Sequence, residues 1–378
     1  MDRKISIVGV GNAGCKITDR LADVIRPGQS LVAINTDAAA LGESRATTKI
    51  EIGAGRTRGM GAGGDVNLGR MSAEDDRAIL TGLLAESHLV FVVAGLGGGT
   101  GTGATPVVLE VAREVGATTL CFAVLPFEFE GEQRVAQAEK ARTAVGDAAD
   151  AMIVVHNGKF ADADGAGTLA GTIERANEAI AGGISSIFKL ITQPGPISLS
   201  FADLQNVIHN SSGACTFGYA TGEGSGRAET ALKALLASPQ LEEGRMLENA
   251  KSLLISIAGG SDFTVKEMND TVNRLKDARP KNCLFSLGTV IDEDWNGRCS
   301  ITLVASEMVK AEPPPQVAVV EEPHGKRGGK KGAKPTATQT TLPLDPMGGR
   351  FKDVIRTIHE GEDLDIPTFK RRGISIDK

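Results

Sequence analysis

The stretch Gly95-Leu96-Gly97-Gly98-Gly99-Thr100-Gly101-Thr102-Gly103 could do chemistry through its backbone alone. Glycines let successive N–H groups approach a ligand, Thr100 and Thr102 add hydroxyl donors, and a helix starting just beyond them adds partial positive charge. The ligand that suits such a loop is a phosphate chain. No Lys stands between Gly95 and Ala112, so the G-x-x-x-x-G-K-[ST] loop is absent, and backbone amides with a metal ion would have to offset the phosphate charge. Two more glycine loops lie upstream. Gly9-Val10-Gly11-Asn12-Ala13-Gly14 carries G-x-G-x-x-G and taken alone also fits a dinucleotide oxidoreductase, with Asp37 as its ribose acid. The third runs from Gly53 through Gly61-Ala62-Gly63-Gly64. A single dinucleotide site does not need three such loops, which suggest one ligand held from several sides.

The elements that must position these loops follow from hydrophobic spacing. Apolar runs at residues 5–10, 30–35, 88–94, 118–124 and 151–155 read as buried strands. Helices are expected at 104–115, at 131–146, and from Ser72 onward with Glu74 and Asp75 in its first turn. Ile17, Leu21 and Val24 lie on one face of a helix after the first strand. This alternation gives a parallel sheet with helices on both faces and the ligand at the carboxyl ends of the strands. Residues 168–190 are apolar around most of a helix, which should be buried between two bodies. After Gln193-Pro194-Gly195-Pro196, strands at 214–221, 252–258, 282–290 and 299–305 with helices at 226–237 and 264–275 make a second α/β domain with its own core.

The expected organisation is therefore α/β: a Rossmann-like nucleotide domain over 1–167, a long central helix over 168–192, and a smaller α/β domain over 193–309. A disordered linker rich in Pro, Gly, Lys, Thr and Gln follows over 310–349, then a partner-binding tail over 350–378, where Phe351, Val354, Ile355 and Ile358 share a helical face. Net charge of −6 argues against non-specific nucleic-acid binding. Apolar runs of strand length argue against a signal peptide or membrane insertion, hence a cytoplasmic location. Five widely spaced cysteines without a C-x-x-C pair point to reduced, buried thiols, with no protein metal site.

Gly97-Gly-Gly-Thr-Gly-Thr-Gly103, Asn35-Thr-Asp37, Pro126-Phe-Glu-Phe-Glu-Gly131, Phe201-Ala-Asp203 and the tail Leu364-Asp-Ile-Pro-Thr-Phe369 together resemble the FtsZ branch of the tubulin superfamily. The first loop, Gly11-Asn12-Ala13-Gly14-Cys15-Lys16, departs from the usual glycine run and looks closer to the tubulin version. The resemblance implies a GTPase binding GTP or GDP with Mg2+, stacking head to tail into filaments, and forming a bacterial division ring at the inner face of the membrane. Phosphates would be held by Gly11 to Lys16, by Gly61, Ala62, Gly63 and Gly64, and by Gly97, Gly98, Gly99, Thr100, Gly101, Thr102 and Gly103. Glu130 and Arg134 fall at the family's ribose and phosphate contacts, or else form a surface pair one helical turn apart. Asn157 and Asn177 fall at its guanine-reading positions, with Ile173 where an aromatic ring commonly covers the base. Asp203 would be the catalytic acid, entering the next subunit's site from a loop in which Ser198 and Ser200 replace the usual Asn and Asp. Ser200-Phe-Ala-Asp203 also fits a helix capping box. Leu364 to Arg372 would dock on a membrane-associated division adaptor of the kind the family uses (FtsA, ZipA or SepF).

Overall fold

Ten strands share one sheet in the order β3-β2-β1-β4-β5-β6-β7-β10-β8-β9. They are β1 (Ile5–Val10), β2 (Ser30–Asn35), β3 (Thr48–Glu51), β4 (Leu89–Gly95), β5 (Thr118–Leu125), β6 (Ala151–His156), β7 (Ala214–Glu223), β8 (Ala250–Gly259), β9 (Leu284–Ile291) and β10 (Arg298–Glu307). This computed structural model describes residues 4–25, 29–164, 167–193, 195–209, 214–307, 358–359 and 362–363. Strands β3 through β7 run parallel, as do β8 and β9, whereas β10 is antiparallel to β7 and β8. The two halves of the sheet meet at a seam where, among the described residues, β6 and β7 pair at Met152↔Ala214 and Ile153↔Cys215.

Every residue of β1 and β5 is buried, as a parallel sheet covered on both faces requires. Alternate positions feed separate cores. Ile5, Phe91 and Phe122 join Ile180, Phe188 and Val304 in the cluster beneath the central helix, while Val8, Val32 and Val92 face the cluster built around Val107 and Leu109. A third cluster, with Leu235, Ile255 and Leu303, belongs to the second half. The central helix, Leu169–Thr192, is buried mainly from Ile180 onward, while Leu169, Ile173, Glu174, Arg175 and Glu178 in its first half are exposed, so the burial expected over its whole length holds for its second half. Its Gly183 makes room for Phe217, since a Cβ there would lie 1.8 Å from Phe217 Cζ, and Phe217 meets Phe122 edge-on at 5.7 Å.

Several elements begin earlier than the sequence suggests. The helix expected at 104–115 spans Gly99–Glu114, so half of the glycine loop is already helical. The polar helix expected from Ser72 starts at Val66, because the Asp65 carboxylate caps it through the Asn67 and Leu68 amides. Glu74 and Asp75 therefore lie in its last turn, and a second helix, Arg77–Leu84, follows. The first helix, Gly11–Thr18, tightens into a 3-10 turn at Asp19–Leu21 before reaching Val24. In the separate C-terminal unit, Ile358–His359 pairs with Glu362–Asp363, so Ile358 is extended and not on a helical face. The expected linker over 310–349 and the peptide Leu364 to Arg372 lie outside the described residues.

Candidate functional site

In the order β3-β2-β1-β4-β5-β6 the direction of chain progression reverses between β1 and β4, and at such a point a parallel sheet opens a crevice beyond its carboxyl ends. β1 runs directly, and β4 after the turn Leu96–Gly98, into a helix that lacks a capping side chain. Val10 precedes Gly11–Thr18 and Gly98 precedes Gly99–Glu114, and neither N-cap makes a side-chain bond. The neighbouring β5 leads to a third bare start, at Gly131 before Glu132–Ala148. Asp37, Asp65, Thr168 and Thr264 cap four other helices, while Ala54–Thr57, Arg77–Leu84, Arg227–Leu236 and Arg245–Glu248 also start without a side-chain cap, so what marks these three is their place after neighbouring parallel strands. First-turn amides have no intrahelical acceptor, so three sets of N–H groups and three positive dipole ends are left for a ligand at one edge of the sheet.

The glycines divide into two kinds. Gly97 (φ +94°) and Gly61, Gly63 and Gly64 (φ +81°, +57° and +85°) occupy backbone conformations that side chains disfavour. Gly99, Gly101 and Gly103 are there for close packing within the chain. A Cβ on each would lie 2.7 Å from Asp65 O, 2.2 Å from Gly95 O and 2.1 Å from Val66 O, respectively. Much of the glycine density thus lets the Gly99 helix press against the Val66 helix and β4, and the ligand is met by the first turn. The threonines brace the loop. Thr100 Oγ1 lies 2.6 Å from Thr36 Oγ1, both buried, and Thr102 Oγ1 accepts the Gly97 N–H at 2.8 Å.

In the first loop Asn12 Oδ1 accepts from Asn35 Nδ2 at 2.7 Å, while Gly14 is wedged so that a Cβ would fall 2.2 Å from Val93 O. Ala13 and Lys16 are exposed. The Cys15 side chain is a core group, its thiol pushed up to about 12 by burial and then by the Asp19 charge, so any part it plays is through its peptide. The Gly61 N–H donates to Thr36 O at 3.1 Å, which ties the Gly53–Gly64 loop to the end of β2. Asp37, the ribose acid of a dinucleotide reading, accepts the Ala40 N–H as a helix cap.

Glu130 and Arg134, assigned to ribose and phosphate contacts, form the alternative ion pair one helical turn apart at 3.1 Å, and Glu130 also accepts the Phe127 N–H at 2.9 Å. Arg134 overlies the Gly95–Gly103 loop: a Cβ on Gly97 would be 2.7 Å from its carbonyl oxygen. Sequence reading missed Gln137, whose Nε2 donates to Gly64 O (3.1 Å) and Gly97 O (3.2 Å) and ties two loops together. Its position one turn after Arg134 was the available signal. Asn157 opens the helix Asn157–Asp164, which packs on the central helix carrying Asn177. The Asn157 Oδ1 is buried without a hydrogen-bond partner, so this acceptor is ready for a donor the chain does not supply. Ile173, on the same helix as Asn177, is 38% exposed.

Asp203 is remote from all of these. It follows the C-terminal end of a 24-residue helix, and at 1.5 Å per residue the Asn177–Thr192 segment alone spans about 22 Å. The capping box is formed: Asp203 Oδ2 accepts from Ser200 N (2.9 Å) and Ser200 Oγ (2.5 Å), and Ser200 Oγ accepts the Asp203 N–H. The Ser200 hydroxyl, then its amide, holds the Asp203 carboxyl below its ordinary value, so it is ionised at neutral pH. Ser198 Oγ donates to Gly195 O, and the loop is pinned to β9 by Ile197 N–H to Thr289 Oγ1 and Thr289 N–H to Ile197 O.

Residues 4–164 match the family model of the tubulin/FtsZ GTPase domain, and residues 213–309 match that of the FtsZ C-terminal domain. A solved FtsZ dimer from M. jannaschii is 32% identical with a TM-score of 0.76, over 81% of this chain and 88% of that one. The chain belongs to the tubulin/FtsZ family. CetZ2 from Haloferax volcanii, solved as a GTPγS-bound protofilament, is 25% identical with a TM-score of 0.63, over 80% of this chain and 92% of that one. The FtsZ-family fold thus places three glycine loops at one crevice and the serine-rich loop with Asp203 at the far end of the central helix.

Proposed function

We propose that the protein binds and hydrolyses GTP and assembles head to tail into filaments that form a division ring, each junction completing a hydrolytic site. The observation that carries this reading is the separation of parts. The crevice with its bare helix starts would take the phosphates near one end of the central helix, whereas the ionised Asp203 carboxylate sits in an exposed loop beyond the other, after a segment about 22 Å long. Stacking one copy on the next would bring them together. The phosphates would lie on the bare first turns at Gly11 and Gly99 and the loop Gly61 to Gly64, the ribose and phosphates near Glu130 and Arg134, and the base against Asn157 and Asn177. Mg2+ would enter with the phosphates, since among the described residues no three His, Cys, Asp or Glu side chains gather around a cation. A filament with little turnover is the second reading, favoured by the internal bonding of Ser198, Ser200 and Asp203. The test is GTP turnover per molecule against protein concentration. It should be near zero when dilute and rise steeply with sedimentable polymer, whereas a concentration-independent rate would rule out a shared site.

Among the described residues no helix is long and apolar enough to cross a membrane. Attachment to the membrane at the division site would then rest on an adaptor gripping Leu364 to Arg372, with Ile366 and Phe369 in a groove and Lys370 to Arg372 adding charge. Deleting residues 363–378 should leave polymer formation and turnover unchanged while abolishing recruitment to adaptor-coated lipid in a flotation assay.

A further inference from the structure

The end of β6 is held by a side chain from the second half of the chain. The β6–β7 ladder stops at Ile153, yet β6 continues to His156. There the buried Gln240 side chain takes over: its Nε2 donates to His156 O at 2.9 Å, and its Oε1 accepts the His156 N–H at 3.3 Å. An amide presents donor and acceptor side by side, as a neighbouring strand would. Gln240 sits in the 3-10 turn Pro239–Gly244, which packs on the helix opened by Asn157. The residue after the clamped one is Asn157, whose buried Oδ1 has no partner.

We infer that Gln240 is a positioning residue for base recognition: it fixes the backbone at His156 so that the Asn157 amide faces the nucleotide base. This rests on the proposed role of Asn157. Discrimination between guanine and adenine thereby depends on a residue outside the nucleotide-binding half, and on the seam between the halves staying closed.

The test compares full-length wild type, Gln240→Leu, Gln240→Glu and Asn157→Ala for affinity toward GDP, ADP and inorganic tripolyphosphate, with thermal unfolding as the check on folding. Gln240→Leu keeps the volume and removes both bonds; it should weaken GDP binding about tenfold, lower the GDP-over-ADP preference and leave tripolyphosphate affinity unchanged. Gln240→Glu keeps the acceptor only and should fall between. An unchanged GDP-over-ADP preference in both Gln240 variants, beside a loss in Asn157→Ala, would overturn the inference alone. Equal losses for GDP, ADP and tripolyphosphate would also overturn it, by showing a general structural role. No loss in Asn157→Ala would instead remove the base-reading assignment, and the inference with it.

Discussion

Asp203→Ala is expected to slow GTP hydrolysis by roughly 10²-fold or more, with filaments accumulating in GTP, if the carboxylate of this loop orients water at a junction as proposed. The competing role is visible in the structure. Asp203 closes a capping box with Ser200, and losing such a cap costs about 1 kcal/mol of stability and little rate. Mixing decides between them. If Asp203 acts on the neighbouring subunit's nucleotide, variant added to wild type should poison turnover in proportion to its share of junctions. A capping residue would lower the unfolding temperature of the variant alone and leave the mixture's rate a simple sum. Wild-type turnover by the pure variant would send the search for the acid elsewhere.

Gly103→Ala and Gly98→Ala should fail in different ways. A Cβ on Gly103 would meet Val66 O at 2.1 Å and Arg70 N at 2.6 Å, both backbone atoms that cannot swing aside. The two helices would have to part, costing about 1–3 kcal/mol and disordering the first turn at Gly99, so both the unfolding temperature and GDP binding should drop. Gly98 has φ −92°, which any residue adopts, and a Cβ there would have only Arg134 Nη2 nearby, at 3.9 Å. Its alanine variant should unfold like wild type and lose nucleotide affinity only through crowding of the ligand. Calorimetry beside GDP titration separates the two. Normal GDP affinity in Gly98→Ala would mean the bare first turn at Gly99 is not where phosphate lies.

Much of this was legible in the sequence because parallel strands buried on both faces are uninterrupted apolar runs, and the central helix announced its burial through Ile180, Ile184, Ile187 and Phe188. Helix starts were harder to read. At Gly99 the start was hidden because glycine is a poor helix former, and what makes the segment helical is its fit against Val66 and Asp65, a long-range contact. The cap at Asp65 was available as a local signal, as an Asp directly before Val66, and was masked by the surrounding glycines. The Glu130–Arg134 pair could be read from its i,i+4 spacing, but nothing local shows that Gln137 would reach two separate loops or that Gln240 would close on His156. Such partners are fixed by topology, and polar side chains carry no periodicity that encodes it.

The loop strapped to β9 has a consequence for how copies of this chain meet. A sheet with a beginning and an end offers two rows of unpaired N–H and C=O groups, and strand-to-strand fusion along them is the usual route to disordered aggregates. Here one margin, β3, is four residues long, with Lys49 Nζ bound to Gly42 O. At the other, residues 195–197 lie against Thr289, and Lys276 and Arg279 stand over the ring of Phe285. With both margins obstructed, crowding many copies together does not reward sideways fusion, and orderly growth is left to the helix and loop faces.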